Sequence, residues 1–223
     1  MALTLVIGNK NYSSWSMRPW MMLKAAGIPF EEVVIPLYTG DADKQRILKY
    51  SPAGKVPILV DGAISVWDSL AIIEYLAERF PDKAIWPTEP AARAHARSIS
   101  AEMHSGFMPL RNECSMNIHR KPVKKQLSAD AIANVGRIGE IWTQCRGRQD
   151  LGSHASAGPF LFGGFTGADA MYAPVIHRFA TYGVELSGPA ADYMQAMQAF
   201  APFREWTAAA LRETWTIDRF EQE

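Results

Sequence analysis

Cysteine is nearly absent from this chain. Two occur in 223 residues, Cys114 and Cys145, far apart and in no CxxC pair. That excludes a disulfide-stapled secreted module and a cysteine-ligated metal, and it suggests a reducing compartment. No stretch approaches the ~18 consecutive apolar residues of a membrane-spanning helix. The N-terminal MALTLVIGNK lacks a basic flank and has too short an apolar run for a signal peptide. A cytoplasmic protein without a membrane association is therefore expected. Net charge is missing too: 23 basic residues balance 23 acidic ones, and no run of lysine and arginine exceeds two. Nucleic acid, which demands a basic footprint, is not an expected partner. Internal repeats and low-complexity tracts are also absent. Apolar residues are plentiful at 48%, enough for the core of one large domain or two small ones.

The most informative stretch is residues 51–69, SPAGKVPILVDGAISVWDS. Val56 precedes a proline and is pushed to an extended backbone. With a cis Val56-Pro57 bond, Val56 turns its own N–H and C=O outward to pair with an extended ligand backbone. Asp61-Gly62 between apolar runs signals a hairpin. Asp68 and Ser69 precede the periodic run LAIIEYLAERF and so open a helix, whose free N–H groups and positive dipole end favour a carboxylate. A peptide-shaped acidic ligand fits this constellation.

Around that stretch the order is strand 3–7, helix 16–26 closed by Gly27, strand 30–36, helix 41–50, the hairpin, and helix 69–80. Pro19 is tolerated in such a first helix only within its first turn. This is a compact α/β unit with a mixed sheet. FPDKAIWPTEP, with three prolines in eleven residues, reads as a linker. Beyond it the pattern is helical: 91–118 with a kink at Pro109, 128–148 with Ser128 as N-cap, 166–182, and two helices in 189–213 broken near Pro202. GRQDLGSHASAGP reads as a glycine-rich loop. The boundaries expected are 1–80, a linker 81–90, and an all-helical 91–223.

A Val-Pro before a hairpin, an acid-Ser pair at a helix start and a following all-α domain together resemble the cytosolic glutathione S-transferase family, over essentially the whole chain. Ser13-Ser14-Trp15-Ser16-Met17-Arg18 resembles the SSCSxR motif of the serine-type zeta class, the maleylacetoacetate isomerase group. Phe162-Gly163-Gly164-Phe165-Thr166-Gly167-Ala168-Asp169 resembles the family's N-capping box, and Phe107-Met108-Pro109-Leu110-Arg111-Asn112 the zeta-class Gln-Pro-Leu-Gln-Asn segment. Three departures stand out. Trp15 replaces the zeta cysteine, Met108 replaces a polar residue, and Asp68 replaces the usual Gln or Glu before the serine.

The resemblance implies an α+β protein with a thioredoxin-like N-terminal domain and an all-α C-terminal domain. It implies a homodimeric detoxification enzyme that takes glutathione as cosubstrate and needs no metal. Ser13, with Ser14 one residue on, is placed on the catalytic hydroxyl position. Lys55, Val56, Pro57, Asp68 and Ser69 form the glutathione cradle. Tyr12, Trp15, Met108, Arg111 and Asn112 line the electrophile pocket, the last two orienting an acidic second substrate. Serine at a helix start is also an ordinary N-cap, and apolar residues at helical spacing are ordinarily core. A free thiol has a pKa of about 8.5, and a helix N-terminus with a donated hydrogen bond lowers it by roughly one to two units. The activity implied is attack of the glutathione thiolate on a small electrophile. The alternatives are a glutathione-dependent cis-trans isomerase and a non-catalytic glutathione binder. Thr166 and Asp169 are assigned to folding.

Overall fold

The computed structural model describes residues 2–147 and 158–221. Strand β1 (Leu3–Ile7) lies at the centre of a four-stranded sheet of order β2-β1-β3-β4, with β2 Phe30–Val34, β3 Ile58–Asp61 and β4 Ile64–Trp67. β1 runs parallel to β2, pairing Leu3 with Phe30, and antiparallel to β3, pairing Val6 with Ile58. The period-2 alternation of β1 divides its side chains between two cores. Leu3, Leu5 and Ile7 face the main helical core, whereas Val6 joins Ile35, Ile47 and Ile58 in a smaller one on the other face. Helix α2 (Asp41–Leu48) closes that smaller core through Ile47.

Helix α1 (Ser14–Ala25) begins two residues earlier than its periodicity suggests, with Ser13 as N-cap. Pro19 consequently lies inside the helix, beyond the first turn, where it removes one ladder hydrogen bond. Helix α3 (Ser69–Arg79) is capped by Asp68. The Val56-Pro57 peptide is cis, as its sequence context suggests.

The expected long helix over 91–118 is two helices, α4 (Pro90–Ser105) and α5 (Met108–Glu113). The break falls at Gly106-Phe107 and not at Pro109. A Cβ on Gly106 would come within 2.8 Å of the Glu102 carbonyl oxygen, and Phe107 takes a left-handed φ of 62° that ends the run. Pro109 sits in the first turn of α5, where it has no hydrogen bond to lose. Residues 114–118 are not helical; Asn11 Oδ1 instead accepts from the N–H groups of Ile118 (2.6 Å) and His119 (2.9 Å).

Helix α6 (Ala129–Gly147) starts after Ser128, whose Oγ accepts from Ala131 N at 3.2 Å. Most of the expected glycine-rich loop lies outside the described residues. Helices α7 (Gly167–Thr181), α8 (Gly188–Ala199) and α9 (Ala201–Ala210) follow, with Phe200 separating the last two. Among the described residues after Phe80, the β structure consists of isolated bridges around Phe160–Gly164.

α7 is buried along nearly all of its length and packs on both α1 and α4. Its start is fixed by Asp169, which is fully buried. The carboxylate accepts from Leu161 N at 3.0 Å, Thr166 N at 2.8 Å and Thr166 Oγ1 at 3.0 Å. Burial pushes the Asp169 carboxyl up to about 6 against these donors. The folded-state value thus lies above the unfolded one, so the native state holds the proton more tightly. This contribution is fully present below about pH 4 and is lost as pH rises through about 6. Urea unfolding of the wild type across that window should show stability falling with pH, a slope that Asp169→Asn lacks. Asp169→Ala, which strands buried donors, should cost about 3 kcal/mol at any pH in the window.

Candidate active site

Two clefts meet at the C-terminal edge of the sheet. The first, of ≈ 560 Å³, is walled by Trp15, Ala53, Lys55, Val56, Pro57, Trp67, Asp68 and Ser69. The second, of ≈ 550 Å³, runs from Tyr12, Ser13, Ser14 and Trp15 past Leu37 and Tyr38 to Met108 and Arg111 on α5, Arg178 on α7, and Arg219 and Phe220 near the C-terminus. Trp15, Lys55 and Val56 border both.

Lys55, Val56, Pro57, Asp68 and Ser69 line this first cleft together. Val56 precedes β3, and among the described residues neither its N–H nor its C=O takes a protein partner. A ladder-like edge therefore faces the cleft. Asp68 has a φ of 77°, and its Oδ1 accepts from Leu70 N at 2.9 Å and Ala71 N at 3.4 Å. Its Oδ2 stands 3.3 Å from His104 Nε2. Burial lowers the His104 pKa, which Asp68 opposes and Arg18 and Arg111 reinforce. Ser69 is buried, and its Oγ accepts from Arg18 Nη1 at 3.4 Å. Lys55 is exposed at the rim.

The two serines differ. Ser13 Oγ accepts from Ser16 N at 3.4 Å and donates to Ser16 Oγ at 2.7 Å, while Ser16 Oγ accepts from Gly8 N at 3.1 Å. Ser13 thus performs the ordinary capping that the sequence offered as its alternative role. Ser14 Oγ accepts from Arg178 Nη2 at 3.3 Å.

Trp15 is the hub of the second cleft. The guanidiniums of Arg18 and Arg111 lie 4.2 and 5.2 Å from its ring centroid, and His104 meets it edge-on at 5.1 Å. Burial holds the fully enclosed Arg18 guanidinium well below its ordinary value, and the neighbouring Arg111 and Arg178 cations push the same way. Arg111 donates to the carbonyl oxygens of Gly106 (2.9 Å) and Met103. Carbonyl partners satisfy N–H groups without cancelling charge, so this wall stays cationic.

Met108 is exposed at the cleft edge, whereas Asn112 is exposed on α5 and lines neither cleft. Arg111 borders the second cleft, and its neighbour Asn112 points away from it. Tyr12 borders the cleft, but its hydroxyl donates to Glu221 at 2.5 Å, and burial with that bond pushes its pKa up to about 12. His104, Arg178, Tyr38 and Arg219 also come to the site. No local motif marks them, since tertiary packing alone brings α4, α7 and the C-terminal segment here.

Among the described residues no three His, Cys, Asp or Glu side chains cluster to hold a metal ion, and no helix is long and apolar enough to cross a membrane.

Comparison with known proteins agrees with this geometry. The family model for the glutathione S-transferase N-terminal domain matches residues 12–79, and that for the glutathione S-transferase C-terminal domain matches 125–209. The chain belongs to the glutathione S-transferase family. It is 42% identical over 100 residues to a probable maleylacetoacetate isomerase of Caenorhabditis elegans, covering 44% of this chain and 45% of that protein. It is 34% identical over 117 residues to a glutathione S-transferase of Dianthus caryophyllus, covering 52% and 50%. The match spans about half the length of these curated relatives. A wider match, 28% identical, joins 80% of the chain to 76% of a stringent starvation protein A homolog of Pasteurella multocida. In three dimensions the chain resembles a glutathione transferase homolog from Burkholderia, solved with glutathione bound, at a TM-score of 0.69 and 22% identity over 94% of this chain and 98% of that one. The fold, a mixed four-stranded sheet followed by a helical half, is that of glutathione transferases.

The positive φ of Asp68 separates backbone strain from capping. Asp68→Gly relieves the strain and should cost less than ~0.5 kcal/mol in denaturant unfolding, whereas Asp68→Ala keeps it and loses the cap, about 1 kcal/mol or more.

Proposed function

We propose that the chain is a glutathione transferase: it binds glutathione in the first cleft, beside Val56 and Ser69, and presents the thiolate to a small electrophile in the second. The observation that carries this reading is the unpartnered Val56 backbone edge facing the same cleft as the α3 start. An extended tripeptide pairs with the Val56 N–H and C=O. Its γ-glutamyl end meets Ser69 and the α3 N-terminus, where the dipole favours the carboxylate. Asp68 attracts the amine, and Lys55 at the rim attracts the glycyl carboxylate. The sulfur then points to the head of α1, where a serine hydroxyl and the buried cations Arg18, Arg111 and Arg178 favour thiolate over thiol. The division of labour follows the chain: residues 1–80 carry the glutathione site, 81–90 connect, and 91–223 supply most of the electrophile pocket. A cytoplasmic homodimer belongs to the same proposal, on family resemblance.

Calorimetric titration tests the cradle. Asp68 and Ser69 both changed to alanine should weaken glutathione binding tenfold or more, on the order of 1.4 kcal/mol. Undiminished binding by the folded double variant would sink the assignment.

A second reading, glutathione-dependent cis-trans isomerisation of an acidic substrate, is favoured by the lining of the second cleft. Lys44, Lys55, Arg111, Arg178 and Arg219 border it, and its acid, Asp43, is occupied with the N–H groups of Tyr38 (2.6 Å) and Lys44 (2.8 Å). Under this reading an unsaturated dicarboxylate is turned over and Arg111→Ala raises its KM at least tenfold. A neutral aryl halide, conjugated as well or better and insensitive to Arg111→Ala, would favour simple conjugation.

A further inference from the structure

The head of α1 receives a cation from the helical half of the molecule. Arg178 lies in the last turn of α7, and its Nη2 donates to Ser14 Oγ at 3.3 Å. Its Nη1 donates to the carbonyl oxygens of Cys114 and, at 3.4 Å, Arg111. Ser13 is committed on both sides to Ser16, as acceptor and as donor. Ser14 Oγ is held as an acceptor, which leaves its own proton to be given to another atom, and Ser14 and Arg178 border the same cleft.

We propose that Arg178 is a positioning residue for Ser14: its guanidinium fixes the Ser14 oxygen as an acceptor, so that the Ser14 hydroxyl donates to the sulfur of bound glutathione. This rests on glutathione occupying the site as proposed above. An N–H delivered to the Oγ polarises the O–H and strengthens it as a donor. The guanidinium charge adds to the preference for thiolate, and the thiol proton leaves to water. No covalent bond to the protein is involved. The charged groups facing this point are Arg18 on α1, Arg111 on α5 and, beyond Trp15, the Asp68–His104 pair. Arg219, Lys44, Lys55 and Asp43 stand elsewhere on the cleft wall. Arginine suits the role because one planar fork reaches two backbone carbonyls and a hydroxyl together.

The test begins with calorimetric titration of the wild type with glutathione. No binding overturns the functional reading and this inference with it. With binding established, thiolate absorbance of the complex is followed from about pH 5 to 9, with His104→Gln as a background that removes the histidine's own titration. Ser14→Ala and Arg178→Gln should each raise the bound thiol pKa by about one unit, a tenfold loss of thiolate at low occupancy. The double variant should fall short of the sum of the two single shifts, because the residues share one hydrogen bond. Arg178→Lys, which keeps the charge, should fall between wild type and Arg178→Gln. At neutral pH kcat should fall while the glutathione KM changes little. Additive shifts, or a shift from Ser13→Ala in place of Ser14→Ala, would overturn the proposal. So would an unmoved titration in folded Arg178→Gln. If circular dichroism shows that Arg178→Gln is unfolded, Arg178→Lys and Ser14→Ala decide, and a bound thiol unmoved by both overturns it equally.

Discussion

The burial of α7 is the constraint on which the rest depends. A helix with solvent on none of its faces must be apolar almost throughout and must satisfy its ends internally. Asp169 does this at the N-terminus, taking the N–H groups of Leu161 and Thr166. Close approach does it along the side. A Cβ on Gly167 would come within 2.9 Å of Trp86 and Ile73, so glycine alone lets the helix start this near to α3 and the linker. With α7 fixed, α1 has a rigid surface to pack on, and the serine-bearing end of α1 is held against the last turn of α7. One element therefore serves both ends, since its first turn is fixed by the Asp169 capping contacts and its last turn reaches the cleft.

Charge in the site is handled unusually. Buried arginines are commonly neutralised by carboxylates. Here Arg111 and Arg178 are met by backbone carbonyl oxygens, and Arg18 by a serine hydroxyl and the face of Trp15. The depressed Arg18 pKa measures the cost of keeping that charge out of water. An anion placed near this cluster would recover part of it.

Local signals made the first half of the chain legible. Strand alternation, the Val56-Pro57 step, the Asp61-Gly62 turn and the Asp68 cap are each written in neighbouring residues, and each sits where the pattern puts it. The Thr166–Asp169 box is of the same kind. What escaped is set by contacts far apart in sequence. The break at Gly106-Phe107 depends on a left-handed Phe107 that no propensity favours, while the nearby proline offered a more obvious but wrong cause. Asn112 looked equivalent to Arg111 until the helix turned it outward. Arg178 reads as one more basic residue near a helix C-terminus, and only the packing of α7 against α1 gives it a partner in Ser14. Ser13 and Ser14 are adjacent in sequence and share one motif, yet a single helical step sends one hydroxyl to the cap and the other to the cation.

Trp15 stands where the zeta class has cysteine, and it is a wall common to both clefts. Its ring is gripped by Arg18, Arg111 and His104, and so has little freedom to move without displacing charged neighbours. A shared partition makes the two compartments thermodynamically communicating vessels. Whatever free energy an occupant of one spends in shifting the indole is felt as altered affinity in the other, and the effect is equal in both directions. A large inert side chain in place of a small reactive one thus gives up a thiol and makes one indole the boundary of both clefts.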